Sequence, residues 1–305
     1  MIYLLLFVLL ILVLGLYNYS TPKRDFFKLY PHDDTFSQSL KEFQTQKTTE
    51  IEINNVKWTY YSGGQGAKTI LFLHGMGGSY DLWWQQIQEL EKDHKVISYS
   101  LPESIYNLED TSNGIQAILE KEKVGTFIAI GTSMGGYISQ YLVSTMPERI
   151  EKVVFGNTFP PNDIIINANK GKAKVIPYLP ELVLLKLSDK KLHKELIPAA
   201  NNSELLKAFL PSIPFSKKQF MNRYAVVIDR FEIDPSKPML KSIPKLIIES
   251  NNDPLVQKEL RTALIKLYPE AETYTFNKAG HFPYINEAKL YNEVLNSFLN
   301  NNNNN

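Results

Sequence analysis

Short apolar runs alternate with helical patterns along most of the 305 residues, and this alternation restricts the possible folds more than any other feature. The apolar runs are rich in β-branched and aromatic residues, as buried strands are. Residues 51–53 and 56–61 form a predicted hairpin around Asn54-Asn55, and the other predicted strands are 69–73, 95–100, 126–131, 152–156, 245–249 and 272–276. Apolar strands that alternate with helices indicate an α/β fold, with a parallel sheet covered by helices on both faces.

The predicted helices between these strands are 81–90, 114–121, 134–146, 255–267 and 287–299. Residues 158–243 break the alternation, because they contain three helical patterns, 177–187, 203–210 and 217–231, and no convincing strand. We therefore predict a core in two parts, 49–157 and 244–299, with residues 158–243 inserted between them as a helical lid. The apolar side chains of this insertion either pack against the core or line an acyl pocket.

The first 22 residues form a predicted membrane anchor. Residues 2–17 carry no charge and no basic residue precedes them, which favours an anchor over a cleaved signal peptide or a buried helix. Lys23, Arg24 and Lys28 follow, and the positive-inside rule then places the folded part on the cytoplasmic side. Residues 23–48 are a predicted linker, and residues 300–305 a predicted disordered Asn tail.

Charge and cysteine content exclude several classes of function. The chain has 33 basic and 32 acidic residues, so nucleic acid is not expected as a partner. It has no cysteine, which excludes disulfides, Cys-ligated zinc, iron–sulfur clusters and thiol catalysis.

The strongest functional motif is Gly131-Thr132-Ser133-Met134-Gly135, which matches G-x-S-x-G. It lies between a predicted strand and a predicted helix, where a sharp turn exposes the serine hydroxyl at the end of the sheet. Glycines on both sides leave room for that turn. The motif predicts that Ser133 is a nucleophile; a glycine-rich turn with an idle serine is the alternative.

A serine nucleophile needs a base, and the base needs an acid that orients it. Among five histidines, His281 is the candidate base because it follows the last predicted strand, at the same sheet edge as Ser133. Asp253 follows the strand 245–249 and is the candidate acid, although it also suits a helix N-cap. Asp229 and Asp234 are weaker candidates. The order Ser, Asp, His is the one expected for this layout.

The stretch from His74 to Gly78 follows the strand 69–73 and contains Gly75, Gly77 and Gly78. Such a loop can supply a backbone donor for an oxyanion, and we predict the N–H groups of Met76 and Met134 as the pair. A phosphate-binding loop is the alternative, but the G-K-[ST] and G-x-G-x-x-G patterns are missing. His74 itself is expected to be structural.

These motifs resemble the α/β-hydrolase superfamily over residues 50–299, and from residue 130 onward they are most similar to the maspardin branch. The stretches that carry this second likeness are GTSMGGYISQY, FGNTFP and KLYPEAETYTFNKAGHFPYI. The resemblance implies a mostly parallel eight-stranded sheet, a lid after the sixth strand, and neither cofactor nor metal. It also implies hydrolysis of carboxylic esters or lipids, in which Ser133 attacks, His281 transfers the proton and Asp253 holds the imidazole.

Three functions remain open at this point. The first is a membrane-anchored serine hydrolase of the esterase or lipase type, with a small-molecule or lipid acyl ester as substrate. The second is a non-catalytic maspardin-like interaction protein, and the third is an acyltransferase or haloperoxidase with the same triad. The sequence identifies no protein partner.

Overall fold

A computed structural model describes residues 1–19 and 21–301. Within these residues eight strands form one sheet in the order β1-β2-β4-β3-β5-β6-β7-β8. The strands are β1 (Thr49–Ile53), β2 (Val56–Gly63), β3 (Thr69–Leu73), β4 (Lys95–Ser100), β5 (Phe127–Thr132), β6 (Ile150–Gly156), β7 (Lys245–Ser250) and β8 (Glu272–Phe276). Only the pairings of β2 are antiparallel, so the predicted mostly parallel α/β sheet is confirmed.

The register of the parallel strands determines where the loops meet. Leu73 pairs with Gly131, and Thr132 pairs with Gly156, so β3, β5 and β6 end at the same edge. Strands β7 and β8 end there as well, since Ser250 pairs with Phe276. The loops that follow these five strands therefore lie next to one another.

Helices cover both faces of the sheet, and they are α1 (Ile2–Asn18), α2 (Phe26–Leu29), α3 (Thr35–Gln44), α4 (Trp84–Leu90), α5 (Leu108–Lys121), α6 (Met134–Thr145), α7 (Ile164–Val175), α8 (Glu181–Lys191), α9 (Ile197–Ala199), α10 (Glu204–Ser212), α11 (Lys217–Ile228), α12 (Pro238–Ser242), α13 (Lys258–Leu267), α14 (Pro283–Asn286) and α15 (Ala288–Asn300). Helix α5 begins six residues before the predicted start, because the Asn107 side chain accepts a hydrogen bond from the Asp110 N–H and caps it. The residues of its first turns are mostly polar, so the apolar pattern that predicts the helix begins only later in the sequence.

The two faces of the sheet carry separate hydrophobic cores. Alternate residues of β3 divide between them: Leu71 and Leu73 join one core, and Ile70 and Phe72 join the other. All four side chains are fully buried, as expected for a central strand with helices on both sides.

Helices α7 to α12 lie between β6 and β7, where the sequence predicts the insertion. Its apolar side chains mostly bury it against the rest of the chain. Leu206 is fully buried, and the Phe209 ring packs on Trp84 and Phe26, with ring centroids 4.9 and 6.0 Å apart. The contacts of these two side chains favour the packing role over a pocket lining. A functional lid stays a prediction.

Residues 23–48 are not a linker. They form α2 and α3, and the Asp34 side chain caps α3 by accepting from the Ser37 N–H. Leu40 and Phe43 are buried in the core face that also holds Trp84. The spacing of these two apolar residues fits one face of a helix, but the segment is too short and polar for this pattern to stand out.

The predicted membrane anchor, and with it the membrane localisation and the cytoplasmic orientation, is wrong. Of the helices in the described ranges, none combines the length and apolar composition that a membrane crossing needs. Helix α1 has 17 residues, which rise about 26 Å against a hydrocarbon core of about 30 Å. It packs beside α8, and the Tyr17 hydroxyl donates to the Tyr178 carbonyl. Of the predicted disordered tail 300–305, Asn300 is the last residue of α15 and Asn301 is its C-cap, and residues 302–305 lie outside the described residues.

Candidate active site

Ser133 occupies the turn between β5 and α6 in a backbone conformation that few residues adopt. Its φ is 55° and its ψ is −120°, and it is the N-cap residue of α6. Two hydrogen bonds hold this turn against β6 and the residues after it. The Ser133 N–H donates to the Gly156 carbonyl at 2.8 Å, and the Thr158 hydroxyl donates to the Ser133 carbonyl at 2.6 Å. The strained turn leaves the Ser133 side chain partly exposed, at the sheet edge where the loops converge.

The flanking glycines are required by close approaches within the fold. A Cβ on Gly135 would lie 2.0 Å from the Leu73 carbonyl oxygen, and one on Gly131 would lie 2.3 Å from the Gly135 carbonyl oxygen. Both distances are far below any real contact, so a side chain at either position would displace the turn. Gly77 differs, since a Cβ there would meet no atom within 4 Å.

The structure brings Asp253 and His281 together. Nδ1 of His281 lies 2.8 Å from Oδ2 of Asp253, and both side chains are buried. This places a proton on Nδ1 and leaves Nε2 as the basic nitrogen. Within the described residues no hydrogen bond joins Nε2 to the Ser133 hydroxyl. Such bonds often form only when substrate binds.

Asp253 keeps its charge despite its burial. Burial alone would raise its pKa, but the charge and hydrogen bond of His281 together with the Asn157 amide and the Leu255 N–H lower the pKa below its ordinary value. Its Oδ1 accepts from the N–H groups of Leu255 and Val256, so Asp253 also occupies a turn at the start of the following segment. The ionised carboxylate is the form that can hold an imidazole in one tautomer.

The 74–78 loop lies directly against Ser133. A Cβ on Gly75 would lie 3.3 Å from the Ser133 Cβ. The Gly75 carbonyl is held by the His74 Nδ1 at 2.7 Å and by the Gly78 N–H at 2.9 Å. Because a trans peptide directs its carbonyl and its N–H to opposite sides, the Met76 N–H points away from both partners. Within the described residues neither the Met76 nor the Met134 N–H donates to a protein atom.

His74 is structural, as its sequence context predicts. Its ring is buried, and Nε2 accepts from the Leu101 N–H at 3.0 Å while Nδ1 faces the Gly75 carbonyl. Burial, with the nearby Arg223 charge, lowers its pKa to about 3. A neutral His74 therefore joins the 74–78 loop to the end of β4.

The other candidates lie away from this edge or bond elsewhere. His32 packs on Tyr30, His94 faces the Leu90 carbonyl, and His193 is exposed on the insertion. Asp229 accepts from the Leu108 N–H at the start of α5, and Asp234 accepts from Ser236. These contacts leave His281 and Asp253 as the base and acid candidates.

The sequence prediction missed Asn157, which follows β6 at the same edge. Its Nδ2 donates to Oδ2 of Asp253 at 2.9 Å, and its φ of 40° suits an asparagine better than most residues. Its position at the carboxyl end of a parallel strand was the only available signal. A single polar residue there belongs to no short motif.

The family profile of the alpha/beta hydrolase fold matches residues 68–288, which include the turn of Ser133, Asp253 and His281. The chain belongs to the α/β-hydrolase family. Two curated relatives of this α/β hydrolase are hydrolases by name. The 2-hydroxy-6-oxononadienedioate/2-hydroxy-6-oxononatrienedioate hydrolase 1 of Dechloromonas aromatica is 24% identical over 298 residues, covering 87% of this chain and 99% of the relative. The sn-1-specific diacylglycerol lipase ABHD11 of Mus musculus is 23% identical over 273 residues, covering 83% and 88%.

Among solved structures, the enol-lactonase from Burkholderia xenovorans superposes with a TM-score of 0.69 at 18% identity, covering 82% of this chain and 99% of that one. This likeness confirms the fold. With the family profile and the sequence relatives, it identifies the α/β hydrolase as an enzyme similar to esterases and lipases. None of these comparisons distinguishes the maspardin branch, so that closer likeness stays a prediction.

Proposed function

We propose that this α/β hydrolase cleaves carboxylic esters or lipid esters through an acyl-enzyme intermediate. In this proposal Ser133 is the nucleophile, His281 the general base and Asp253 the acid that orients it. The N–H groups of Met76 and Met134 bind the oxyanion. One observation carries the proposal: the buried hydrogen bond between Asp253 and His281 forms at the sheet edge that also holds Ser133.

The first half of the reaction acylates Ser133. The ionised Asp253 accepts from the Nδ1–H of His281, so the free Nε2 takes the proton from the Ser133 hydroxyl as its oxygen attacks the ester carbonyl. The carbonyl oxygen becomes an oxyanion next to the N-terminus of α6. There the Met134 N–H and the helix dipole stabilise the negative charge together with the Met76 N–H.

The second half releases both products. His281 returns its proton to the ester oxygen, which leaves as an alcohol, and the acyl group remains on Ser133. A water then loses a proton to Nε2 and attacks the acyl carbon, and the same donors bind the second oxyanion. Collapse of this intermediate frees the carboxylic acid and restores the Ser133 hydroxyl.

An ester substrate is favoured by one of the sequence relatives. The diacylglycerol lipase is named for a substrate whose acyl chains are carboxylic esters. Ser133 at the nucleophile position suits this chemistry, since a serine alkoxide attacks a carbonyl carbon and leaves a hydrolysable acyl ester.

The test is labelling of the full chain with a fluorophosphonate probe, which modifies only activated serines. Wild type should be labelled, and Ser133→Ala and His281→Ala should not. Ser144→Ala is the matched control, because Ser144 lies on the same helix α6 and its hydroxyl donates to the Tyr141 carbonyl within that helix. Hydrolysis of p-nitrophenyl esters of increasing chain length and of a diacylglycerol would follow.

A folded wild type that takes no label and hydrolyses no ester would overturn the proposal and favour a non-catalytic interaction protein. Labelling that survives Ser133→Ala would place the nucleophile elsewhere. Product analysis with an added alcohol separates hydrolysis from acyl transfer, because acyl transfer gives a new ester in place of the acid. Halide oxidation is tested by adding a carboxylic acid, a halide and hydrogen peroxide as the oxidant, and it gives a halogenated product.

A further inference from the structure

Arg223 connects the insertion to the 74–78 loop. It lies on α11 and its side chain is only 1% exposed. Its Nη1 donates to the Met76 carbonyl at 2.5 Å and to the Gly78 carbonyl at 2.8 Å, and its Nη2 donates to the Leu101 carbonyl at 3.0 Å. One guanidinium from the insertion therefore binds two carbonyls of this loop and one at the end of β4.

The charge of Arg223 has no carboxylate partner. No Asp or Glu oxygen within the described part of the chain forms a salt bridge with it, and its Nε, also buried, has no hydrogen-bond partner. Burial lowers its pKa to about 10, so it stays charged at neutral pH. Its hydrogen bonds go to carbonyl oxygens, and the Glu103 carboxylate acts on it only through space. A buried charge without a directly bonded carboxylate is costly to maintain, which indicates a role beyond packing.

The geometry shows what these bonds fix. Met76 lies between two peptide groups: the Gly75 carbonyl is held by His74, and the Met76 carbonyl is held by Arg223. When the planes on both sides of a residue are fixed, its φ and ψ have little freedom left. The direction of the Met76 N–H is therefore set by a core histidine from one side and an insertion arginine from the other.

We propose that Arg223 is a positioning residue that holds the Met76 N–H in place as an oxyanion donor, so that the insertion completes the active site. The proposal rests on the proposed function for its catalytic readout. The Arg223 guanidinium acts through the loop and does not touch the substrate.

The test uses Arg223→Met and Arg223→Lys in the full chain, with Lys218→Met on the exposed side of the same helix as the control. Arg223→Met should lower kcat for a p-nitrophenyl ester by about 100-fold, the usual effect of losing one oxyanion donor, with KM within about threefold. Binding of a trifluoromethyl ketone, which forms an oxyanion on Ser133, should weaken by a similar factor. Arg223→Lys should give values of kcat and of inhibitor binding between those of wild type and Arg223→Met. One ammonium group keeps the charge but cannot bind three carbonyls as the planar guanidinium does.

Amide hydrogen exchange gives a readout that does not need activity. Exchange at the Gly78 N–H, which donates to the Gly75 carbonyl, should be faster in both Arg223 variants than in wild type and in Lys218→Met. Unchanged exchange, or kcat within twofold of wild type, would overturn the positioning role. Loss of kcat and of substrate binding together, or unfolding of both variants, would reduce Arg223 to a structural residue. A wild type that hydrolyses no ester would overturn the proposed function, and exchange would still decide the positioning role.

Discussion

Asn157 and His281 share one oxygen of Asp253. The Asn157 Nδ2 donates to Oδ2 at 2.9 Å, and the His281 Nδ1 faces the same atom at 2.8 Å, while Oδ1 accepts from two backbone N–H groups. Both carboxylate oxygens therefore carry two hydrogen bonds each, which holds the carboxylate in one orientation and favours its ionised form.

Replacing Asn157 by Asp should therefore damage the site while keeping its shape. A second carboxylate beside Asp253 raises the pKa of the pair by like-charge repulsion and removes one donor. We expect kcat/KM at pH 7 to fall at least about tenfold, since a hydrogen bond to a charged group contributes about 1.5–3 kcal/mol. The acid limb of the pH profile should also move to higher pH. Asn113→Asp, on the exposed face of α5, is the control, and equal activity of the two variants would contradict this expectation.

His74 should make stability depend on pH. Its folded pKa of about 3 lies below its ordinary value of 6.5, so the unfolded chain binds a proton that the folded protein does not. The contribution of His74 is therefore fully present above pH 6.5 and is lost as the pH falls below it, by up to about 1.4 kcal/mol per pH unit. In His74→Gln the free energy of unfolding, measured with urea, should fall less steeply between pH 6.5 and 4.5 than in wild type. His193→Gln is the control and should leave this pH dependence unchanged. If His74→Gln shows the wild-type dependence of unfolding free energy on pH, His74 is not its source.

Ser133 should be a position where stability and activity conflict. A φ of 55° with a ψ of −120° costs a residue with a Cβ about 1–3 kcal/mol. Ser133→Gly relieves this strain but adds freedom to the unfolded chain, so we expect a net stabilisation of about 1 kcal/mol over Ser133→Ala. Both variants should be inactive. Denaturant midpoints would show the difference, and identical midpoints would mean that the turn is unstrained.

Gly135 and Gly77 should respond oppositely to the same substitution. Gly135→Ala places a Cβ 2.0 Å from the Leu73 carbonyl, inside the packed contact of α6 with β3, and should cost at least about 3 kcal/mol or prevent folding. Gly77→Ala meets open space and should stay within about 0.5 kcal/mol of wild type. Thermal unfolding of the pair measures this directly. A destabilised Gly77→Ala would show that the 74–78 loop needs its flexibility.

The sequence predicts the sheet well because its central strands are covered on both faces. Continuous apolar runs such as 126–131 are stable as strands only when both of their faces are buried, as in the centre of a parallel sheet. The carboxyl ends of these strands then determine which loops can meet. Ser133 and His281 stand in short motifs beside these strands, which is why they could be singled out before the geometry was known. Their catalytic roles remain proposals.

The features that sequence reasoning missed depend on long-range contacts. Leu40 and Phe43 are ordinary apolar residues in a polar segment, and only the core that they cover shows that the segment is folded. Arg223 gives no local signal, because its carbonyl partners lie more than 100 residues away. The anchor prediction failed on length, since a 17-residue helix is too short for the span that its composition suggests.

The insertion contacts the core at both site loops. Besides Arg223, its Ala199 carbonyl accepts from the side chain of Asn252, which in turn accepts from the Gly280 N–H next to His281. Consequently we expect that this segment cannot be exchanged between relatives as an independent module. A chimera that received a foreign insertion would lose contacts to both the loop of the proposed oxyanion donor and the histidine loop, and recombination would have to transfer these contact residues together.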